Sequence, residues 1–318
     1  MSLSVSIIIP AYNAARFLER AYASAIEQTG VDFEVILVDN NSTDDTWAIM
    51  QRLRAAHPDV VRISRETVQG AAAARNHGAR LATGIWLQFL DADDVLLEGK
   101  LDRQLDLVKD SDSWLMGAFG VFGAENKYSE VPVGNDPWVG LLLTGQVGCV
   151  HANLFRRTTY LEYNGMSTFL PDHEDYDLYF RLLAGMEPYA VDSVVSCHYL
   201  RNEGVLTLSM RDNEGRVRRR TEFVGRVCRY LAERQHEYFQ THEALLNSAK
   251  LKSVIQQATY DRVGARKVFQ KWFPGGVSAH AFNPGFLPRN FAAYRIFGYS
   301  LAEALRHRVR SLLAILRS

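Results

Sequence analysis

The sequence has few cysteines, no net charge and no long apolar run. Its three cysteines, Cys149, Cys197 and Cys228, form no CxxC pair and cannot all be joined in disulfides, so we expect a reducing compartment. Lys and Arg together number 36, as do Asp and Glu, so no overall field attracts the chain to nucleic acid. No apolar stretch reaches the roughly 18 residues of a membrane-spanning helix, and no secretory signal precedes the first predicted strand. These absences predict a cytoplasmic protein that binds no nucleic acid.

Several signatures of nucleotide and metal enzymes are absent too. Neither a GxGxxG fingerprint nor a Walker A loop is present, which argues against a dehydrogenase and against P-loop chemistry. The nine histidines form no HExxH or other spaced ligand set, so we expect no zinc site. His77, His151 and His198 are expected to be core residues or supporting groups.

What the sequence does contain is an alternation of apolar and helical segments. With 318 residues, 47% of them hydrophobic, the chain can bury a full core. Over the first hundred residues, near-continuous apolar runs alternate with segments of helical spacing. This pattern predicts an α/β fold with a mixed, mostly parallel sheet flanked by helices. The predicted strands are Val5–Ile9, Phe33–Val38, Val60–Ser64 and Ile85–Leu90. The predicted helices are Arg16–Thr29, a segment capped by Thr43 or Asp44 that ends before Pro58, Ala71–Ala82 and Leu97–Lys109.

The rest of the chain has a weaker pattern. We predict a strand with glycine breaks over Ser113–Phe122, a short helix over Asp136–Thr144, a helix over His173–Ala184 and a final strand over Tyr189–Tyr199. After about Arg211 the sequence becomes mostly helical and basic. This shift in composition predicts a first domain of residues 1–210 and a helical region of residues 211–318, whose role is open.

A cluster of carboxylates follows the strand Ile85–Leu90. Asp91, Asp93 and Asp94 repel one another unless a cation lies between them, and oxygen-ligated divalent cations with substrate phosphates are a common solution. The alternative is a solvated loop in which an Asp caps the next helix. For Asp94 alone that alternative is favoured, whereas Asp91 and Asp93 together favour a metal–phosphate site.

Four other charged residues are candidates for the same site. Asp39 ends the second strand, and in parallel sheets ligands bind beyond the carboxyl ends of the strands, so Asp39 and Asp91 can face one crevice. Arg75, in an alanine-rich helix, offers a fork suited to phosphate, although alone it is more often a surface charge. Glu174 and Asp175 point about 100° apart on a helix, so one can face a cleft while the other caps or pairs.

The order of these segments resembles glycosyltransferase family 2, whose members have the GT-A fold. The resemblance covers about the first 200 residues. It rests on Pro10-Ala11-Tyr12-Asn13, Val38 to Thr46, Ala74-Arg75-Asn76-x-Gly78, Asp91-Ala92-Asp93, and Glu174-Asp175 with Arg181.

The resemblance implies a role for each matching residue. Asp91 and Asp93 match the DxD motif, which binds the Mg²⁺ or Mn²⁺ ion that bridges the donor diphosphate. Asp175 matches the catalytic base of the ED motif. The residues implied in binding the nucleotide-sugar are Pro10, Tyr12, Asn13, Asp39, Asn41, Arg75 and Asp91.

Two departures from the family pattern qualify these roles. The usual Asp-Asp-Gly-Ser after the second strand is here Asp39-Asn40-Asn41-Ser42, so contacts to base and ribose can differ. The Gln-x-x-Arg-Trp motif of processive synthases is absent, since Gln270-Lys271-Trp272 is no match. The sequence therefore favours transfer of a single sugar.

The favoured function is a metal-dependent inverting glycosyltransferase. It would move one sugar from a UDP-, GDP- or dTDP-linked donor to a hydroxyl of a glycan, a glycolipid or a cell-surface polysaccharide precursor. The alternative is a catalytically silent relative that binds a nucleotide-sugar or a carbohydrate, against which the intact DxD and ED motifs argue. A different nucleotide enzyme, such as a nucleotidyltransferase, is a third possibility.

Residues 289–318 form a separate candidate interface. Apolar residues recur there every three or four positions between arginines, as on an amphipathic helix. Such a helix can lie on an anionic membrane, here the inner membrane face with a lipid-linked acceptor. The more usual role for such a face is packing against the chain's own helices or against a second copy in a homodimer.

Overall fold

The computed structural model describes residues 4–123, 127–200 and 212–274. Its contacts divide the chain into two compact units, Met1–Val205 and Leu206–Ser318. The strands are β1 Val5–Ala11, β2 Phe33–Asp39, β3 Val61–Arg65, β4 Trp86–Phe89, β5 Val95–Leu96, β6 Trp114–Gly117, β7 Phe119–Phe122, β8 Tyr128–Val131, β9 Leu154–Arg156, β10 Tyr189–Asp192 and β11 Cys197–Leu200. The helices of the first unit are α1 Leu18–Ile26, α2 Thr46–Ala56, α3 Ala71–Leu81, α4 Lys100–Leu107, α5 Pro137–Val139, α6 Arg157–Glu162 and α7 Glu174–Ala184, with a π-helix, Gly140–Thr144, continuing α5.

A seven-stranded sheet forms the centre of the first unit. Its strand order is β10-β6-β9-β4-β1-β2-β3. The pairs β1–β2, β1–β4, β2–β3 and β6–β10 are parallel, and β9 runs antiparallel to β4 and β6. The predicted mixed, mostly parallel α/β sheet is confirmed.

The apolar strands explain why helices cover both faces of this sheet. All seven residues of β1 are buried, and successive side chains of a strand point to opposite faces. Ile7 and Ile9 pack in one core cluster with residues of α1 and α2. Ile8 lies against α3 on the other face, where Gly78 approaches it.

A smaller, four-stranded sheet corrects two sequence predictions. Its order is β5-β11-β7-β8. The strand predicted over Ser113–Phe122 is two strands, β6 and β7, which belong to different sheets, and the chain switches at Gly117. A Cβ there would lie 2.4 Å from the main-chain oxygen of Ala152. The strand predicted over Tyr189–Tyr199 likewise splits into β10 and β11, with a turn in which the Val194 N–H donates to Asp192.

The sequence prediction also missed β9, which joins the two halves of the large sheet. Three residues are too few for a periodic pattern, and only pairing with β4 and β6 defines this strand.

The second unit is helical in its described part, as the composition predicts. Its helices are α8 Asn213–Arg234, α9 His236–Thr241, α10 Glu243–Gln257 and α11 Arg262–Trp272. Asp212 and Asp261 each cap a helix by accepting the N–H of a glycine three residues on, both at 2.8 Å. Whether residues 1–210 and 211–318 act as separate functional domains stays a prediction.

No helix in the described ranges is both long and apolar enough to cross a membrane. The predicted amphipathic segment 289–318 lies outside the described residues, so its contact with a membrane or a second copy stays a prediction.

Gly78 sets the distance between α3 and β1. A Cβ at this position would lie 2.4 Å from Cγ2 of Ile8. Alanine favours helix over glycine by about 1 kcal/mol, but overpacking a core typically costs about 1–3 kcal/mol. We expect Gly78→Ala to lower the free energy of unfolding, measured by denaturant titration. In an Ile8→Ala background the same change should cost less, and an equal cost in both backgrounds would contradict this packing argument.

Candidate active site

The ends of three neighbouring strands bring the acidic residues to one edge of the large sheet. β1 lies between β4 and β2, and all three run in the same direction. Asp39 pairs in register with Ala11 at the end of β1. The Leu90 N–H donates to the oxygen of Ile8, so Asp91 begins the segment that leaves this same edge. The sheet topology therefore puts Asp39 and Asp91 on either side of β1.

Arg75 is the buried cation of this edge. It lies on α3 with 5% of its surface exposed. One terminal nitrogen donates to Oδ1 of Asp91 at 2.6 Å, and the other donates to Oε1 of Glu174 at 2.9 Å. The expectation for Arg75 alone, a surface charge, is wrong, because Asp91 and Glu174, two carboxylates that lie 83 residues apart in sequence, enclose it. Arg75 thus joins the DxD segment to the first turn of α7.

Asp175 lies next to this ion pair and is partly exposed. Burial of the carboxyl group and the negative charge of Glu174 raise its pKa to about 6, while the Tyr176 N–H, 2.8 Å from Oδ1, acts in the opposite direction. Glu174 is engaged by Arg75. The two carboxylates therefore have different surroundings, as their angular separation on the helix predicts.

Arg181 and Asn76 fix the loop that leads into α7. Arg181 pairs with Asp177 at 2.9 Å and donates to the main-chain oxygens of Tyr163 and Gly165. Asn76 donates to the oxygen of Met166 at 2.7 Å and accepts the Met166 N–H at 3.0 Å. Sequence reasoning did not include Asn76 among the site residues, although its place beside Arg75 in a matching motif was a signal.

Asp94 has a different place from the one its sequence context favours. It is fully buried rather than solvated, and α4 begins at Lys100 after Gly99, so Asp94 caps no helix. Its Oδ1 accepts the Leu200 N–H at 2.7 Å, and its Oδ2 lies 3.4 Å from Nδ1 of His151. Burial raises the pKa of Asp94, to about 8. The hydrogen bond from Leu200 of strand β11 holds the Asp94 carboxylate in the interior. Only the tertiary structure shows that β11 lies beside this segment.

The DxD segment provides the donor types that suit a hard divalent cation. Asp93 is partly exposed, and its main-chain oxygen accepts a hydrogen bond from Arg20 at 2.6 Å. Ligand atoms of Asp91, Asp94 and His151 lie within 4.8 Å of one another. Mg²⁺ and Mn²⁺ prefer carboxylate oxygens, so the residues of this segment fit such an ion.

The other residues predicted to bind the nucleotide lie at the ends of β1 and β2 and in the loops that follow these strands. Pro10 and Asp39 are buried, and Tyr12 is 38% exposed. Asn13 links the two loops, since its N–H donates to Ser42 at 3.0 Å and its Oδ1 accepts the Thr43 N–H at 2.7 Å.

Asn41 connects the second of these loops to the loop before α3. Its side-chain amide donates to the oxygen of Thr67 at 2.9 Å and to Gln69 at 3.2 Å. Asn13 and Asn41 both have positive φ angles, 50° and 64°, a conformation that Asn tolerates better than most residues. Their side chains thus shape this edge of the sheet, and their contact with a nucleotide stays a prediction.

This edge can be compared with known proteins. Residues 6–156 match the family described as "Glycosyl transferase family 2". The match spans a little under half of the chain and supports the predicted resemblance to glycosyltransferase family 2. The UDP-Glc:alpha-D-GlcNAc-diphosphoundecaprenol beta-1,3-glucosyltransferase WfgD of Escherichia coli is 28% identical over 199 residues, which are 62% of this chain and 76% of that protein. The chain covers only 34%, 26% and 65% of the length of three other curated relatives.

Two solved structures share the fold of this chain. TarS 1–349 of Staphylococcus aureus, in complex with UDP-GlcNAc, has a TM-score of 0.58 and 17% identity, with 81% of each chain covered. The mannosyltransferase PcManGT of Pyrobaculum calidifontis, in complex with GDP-Man and Mn²⁺, has a TM-score of 0.53 and 18% identity, with 96% of this chain and 87% of that chain covered. The predicted GT-A fold is confirmed.

Proposed function

We propose that this chain is a metal-dependent inverting glycosyltransferase that moves one sugar from a nucleotide-sugar to an acceptor hydroxyl. The observation that carries the proposal is the buried Arg75, which holds Asp91 of the DxD segment at 2.6 Å and Glu174 of the ED pair at 2.9 Å. One side chain therefore ties the donor-binding carboxylates to the helix turn that bears Asp175.

Asp175 is the proposed general base. Inverting transfer requires one group to take the proton of the acceptor hydroxyl as its oxygen attacks the anomeric carbon from the face opposite the leaving group. The raised pKa of Asp175, about 6, gives this carboxylate more basicity than an ordinary aspartate while leaving it ionised at neutral pH. Glu174 is the proposed positioning residue, because its carboxylate is engaged by Arg75.

Asp91 and Asp93 are the proposed holders of Mg²⁺ or Mn²⁺. When bound, such an ion neutralises the charge that develops on a departing nucleoside diphosphate. Arg75 orients Asp91 by the 2.6 Å hydrogen bond. An inverting glycosidase would instead need an acid and a base about 6.5–9.5 Å apart and no metal. A glycosidase activity would therefore not explain the nucleotide-binding type of α/β sheet.

Pro10, Tyr12, Asn13, Asp39 and Asn41 are proposed to contact the nucleotide at the ends of β1 and β2. The names of the relatives support the class of donor and acceptor. TarS and PcManGT are named in complex with UDP-GlcNAc and GDP-Man, and WfgD is named for UDP-Glc and a diphosphoundecaprenol acceptor. For this chain we propose a UDP-, GDP- or dTDP-linked donor and a glycan or lipid-linked acceptor.

The direct test is product analysis with a panel of nucleotide-sugars and lipid-linked or oligosaccharide acceptors in the presence of Mn²⁺. We expect mass spectrometry to show one added sugar, since the Gln-x-x-Arg-Trp motif of processive synthases is absent. We expect NMR to show an anomeric configuration inverted relative to the donor, because a single displacement inverts the anomeric carbon. A ladder of added sugars on one acceptor, or retained configuration, would contradict the proposal. Tight donor binding without transfer or hydrolysis would favour the silent relative.

The pKa of Asp175 predicts the acid limb of the rate profile. Because this carboxylate must be ionised to accept a proton, kcat/KM should fall about tenfold per pH unit below a pKa of about 6. Glu174→Gln removes the neighbouring negative charge that raises the pKa, so its acid limb should move to lower pH. A limb at the same pH in both proteins would show that another group controls it.

A further inference from the structure

A second cluster of metal-ligating side chains consists of Cys149, His151 and Cys197, of which only His151 also lies beside Asp91 and Asp94. Sγ of Cys149 is 3.2 Å from Nε2 of His151. The ligand atoms of Cys149, His151 and Cys197 all lie within 4.8 Å of one another. Cys197 and His151 are 0% and 2% exposed, and Cys149 is partly buried. Two soft sulfur donors and one imidazole nitrogen therefore converge on one buried point.

The histidine of this cluster is held by groups on its other sides. Its Nδ1 lies 3.4 Å from Oδ2 of Asp94. Tyr199 stacks on the ring at 6.0 Å with an interplanar angle of 10°, and Phe119 meets it edge-on at 6.4 Å. Metal-bound histidines typically present their second ring nitrogen to a carboxylate, which fixes the ring and its tautomer. His151 has the orientation that this arrangement requires, with Nε2 turned to the thiols and Nδ1 facing Asp94 without a hydrogen bond between the two.

A thiolate, rather than a thiol, is the form that ligates a metal, so each cysteine ligates an ion only after it has lost its proton.

We propose that Cys149, Cys197 and Nε2 of His151 bind a zinc ion in the first unit of this chain. Tetrahedral zinc with Zn–S bonds of about 2.3 Å and Zn–N bonds of about 2.0–2.1 Å separates its donor atoms by about 3.5–3.8 Å, within the spread of this cluster. The fourth position goes to water. On binding, each thiol still protonated and Nε2 of the imidazolium release their protons to solvent, and the ring keeps the proton on Nδ1, which faces Asp94.

The ion would tie the turn before β9 to the first residue of β11. Cys149 lies in that turn, and Cys197 begins the strand that pairs with β5, just after the DxD segment. This site is chemically distinct from the carboxylate site, since sulfur ligands select soft or borderline metals and Mg²⁺ prefers oxygen. Zinc binding would therefore support the loop that carries Asp93 without taking part in sugar transfer.

The test measures zinc directly on the full chain, so it does not depend on the proposed transferase activity. Protein reconstituted with Zn²⁺ and freed of loosely bound metal should retain about one zinc per chain by mass spectrometry of the metal. X-ray absorption at the zinc edge should show a sulfur shell at about 2.3 Å. This measurement uses the unchanged protein, so it holds even where cysteine variants fold poorly.

Variants then locate the ion. Cys149→Ser and Cys197→Ser should each retain less than a tenth of the zinc. Cys228→Ser is the matched control, because this buried cysteine lies on α8 in the other unit. The Cys228→Ser protein should retain as much zinc as the wild type. Absence of zinc in the reconstituted wild type, a shell of oxygen and nitrogen alone, or a Cys149–Cys197 disulfide found by peptide mapping would each overturn the proposal.

Discussion

Asp175→Asn is expected to lower kcat by at least about a hundredfold while leaving the donor affinity unchanged. A positioned general base typically contributes about 10²–10⁴-fold, and an amide in its place cannot accept the proton of the acceptor hydroxyl. Donor affinity should be preserved, because Asp91 of the DxD segment is held by Arg75, whose other terminal nitrogen donates to Glu174. Initial rates give kcat, and calorimetry with the nucleotide-sugar and Mn²⁺ gives the affinity.

Glu174→Gln is the matched control for this prediction. The glutamine amide can still accept a hydrogen bond from Arg75, so the loss in kcat should be smaller than that of Asp175→Asn. If the two losses are reversed, Glu174 is the base and Asp175 the positioning residue. If neither substitution lowers kcat, the proposed mechanism is wrong.

Asp93→Ala is expected to abolish metal-dependent donor binding and, with it, transfer. Removing an outer-shell partner of a metal site typically costs about 10–100-fold, so removing a carboxylate that ligates the ion should cost more than about a hundredfold in donor affinity. The fold should persist, since Asp93 is partly exposed and the hydrogen bond from Arg20 goes to its main-chain oxygen. Calorimetry with and without Mn²⁺ measures the donor affinity.

Glu98→Ala is the control for Asp93→Ala, because Glu98 is an exposed acid five residues further along the chain. It should bind donor and metal like the wild type. Circular dichroism and thermal unfolding of both variants test whether the fold is intact. Unchanged Mn²⁺-dependent donor affinity in Asp93→Ala would show that this carboxylate does not hold the ion.

The sequence by itself determines the parallel part of the sheet and the order of the motifs. Apolar runs such as Val5–Ala11 and Phe33–Asp39 are buried on both faces, and their alternation with helical segments leaves few ways to arrange them. Because parallel strands end at a common edge, the positions of Asp39 and Asp91 relative to the sheet follow from that alternation. The amphipathic spacing of Glu174–Ala184 is likewise visible without a structure.

The tertiary structure alone decides which distant side chains meet. The sequence of its own helix predicts that Arg75 is a surface charge. In the structure Arg75 is buried between Asp91 and Glu174, because α3 and α7 meet at one edge of the sheet. Strand β9 has three residues and no period of its own, so its place in the sheet comes only from its partners.

The sequence alone predicts no zinc site, whereas the structure brings together Cys149, His151 and Cys197, the ligands of the proposed zinc site. The reason is again that only the tertiary structure decides which distant side chains meet. Cys149 and His151 are neighbours in sequence, but Cys197 reaches them only because β11 folds back beside β5 and β7. A spacing rule finds ligands that share one element, whereas these come from a turn and a distant strand. The sequence supplies the donor atoms, and the pairing of strands far apart in the chain brings them within reach of one ion.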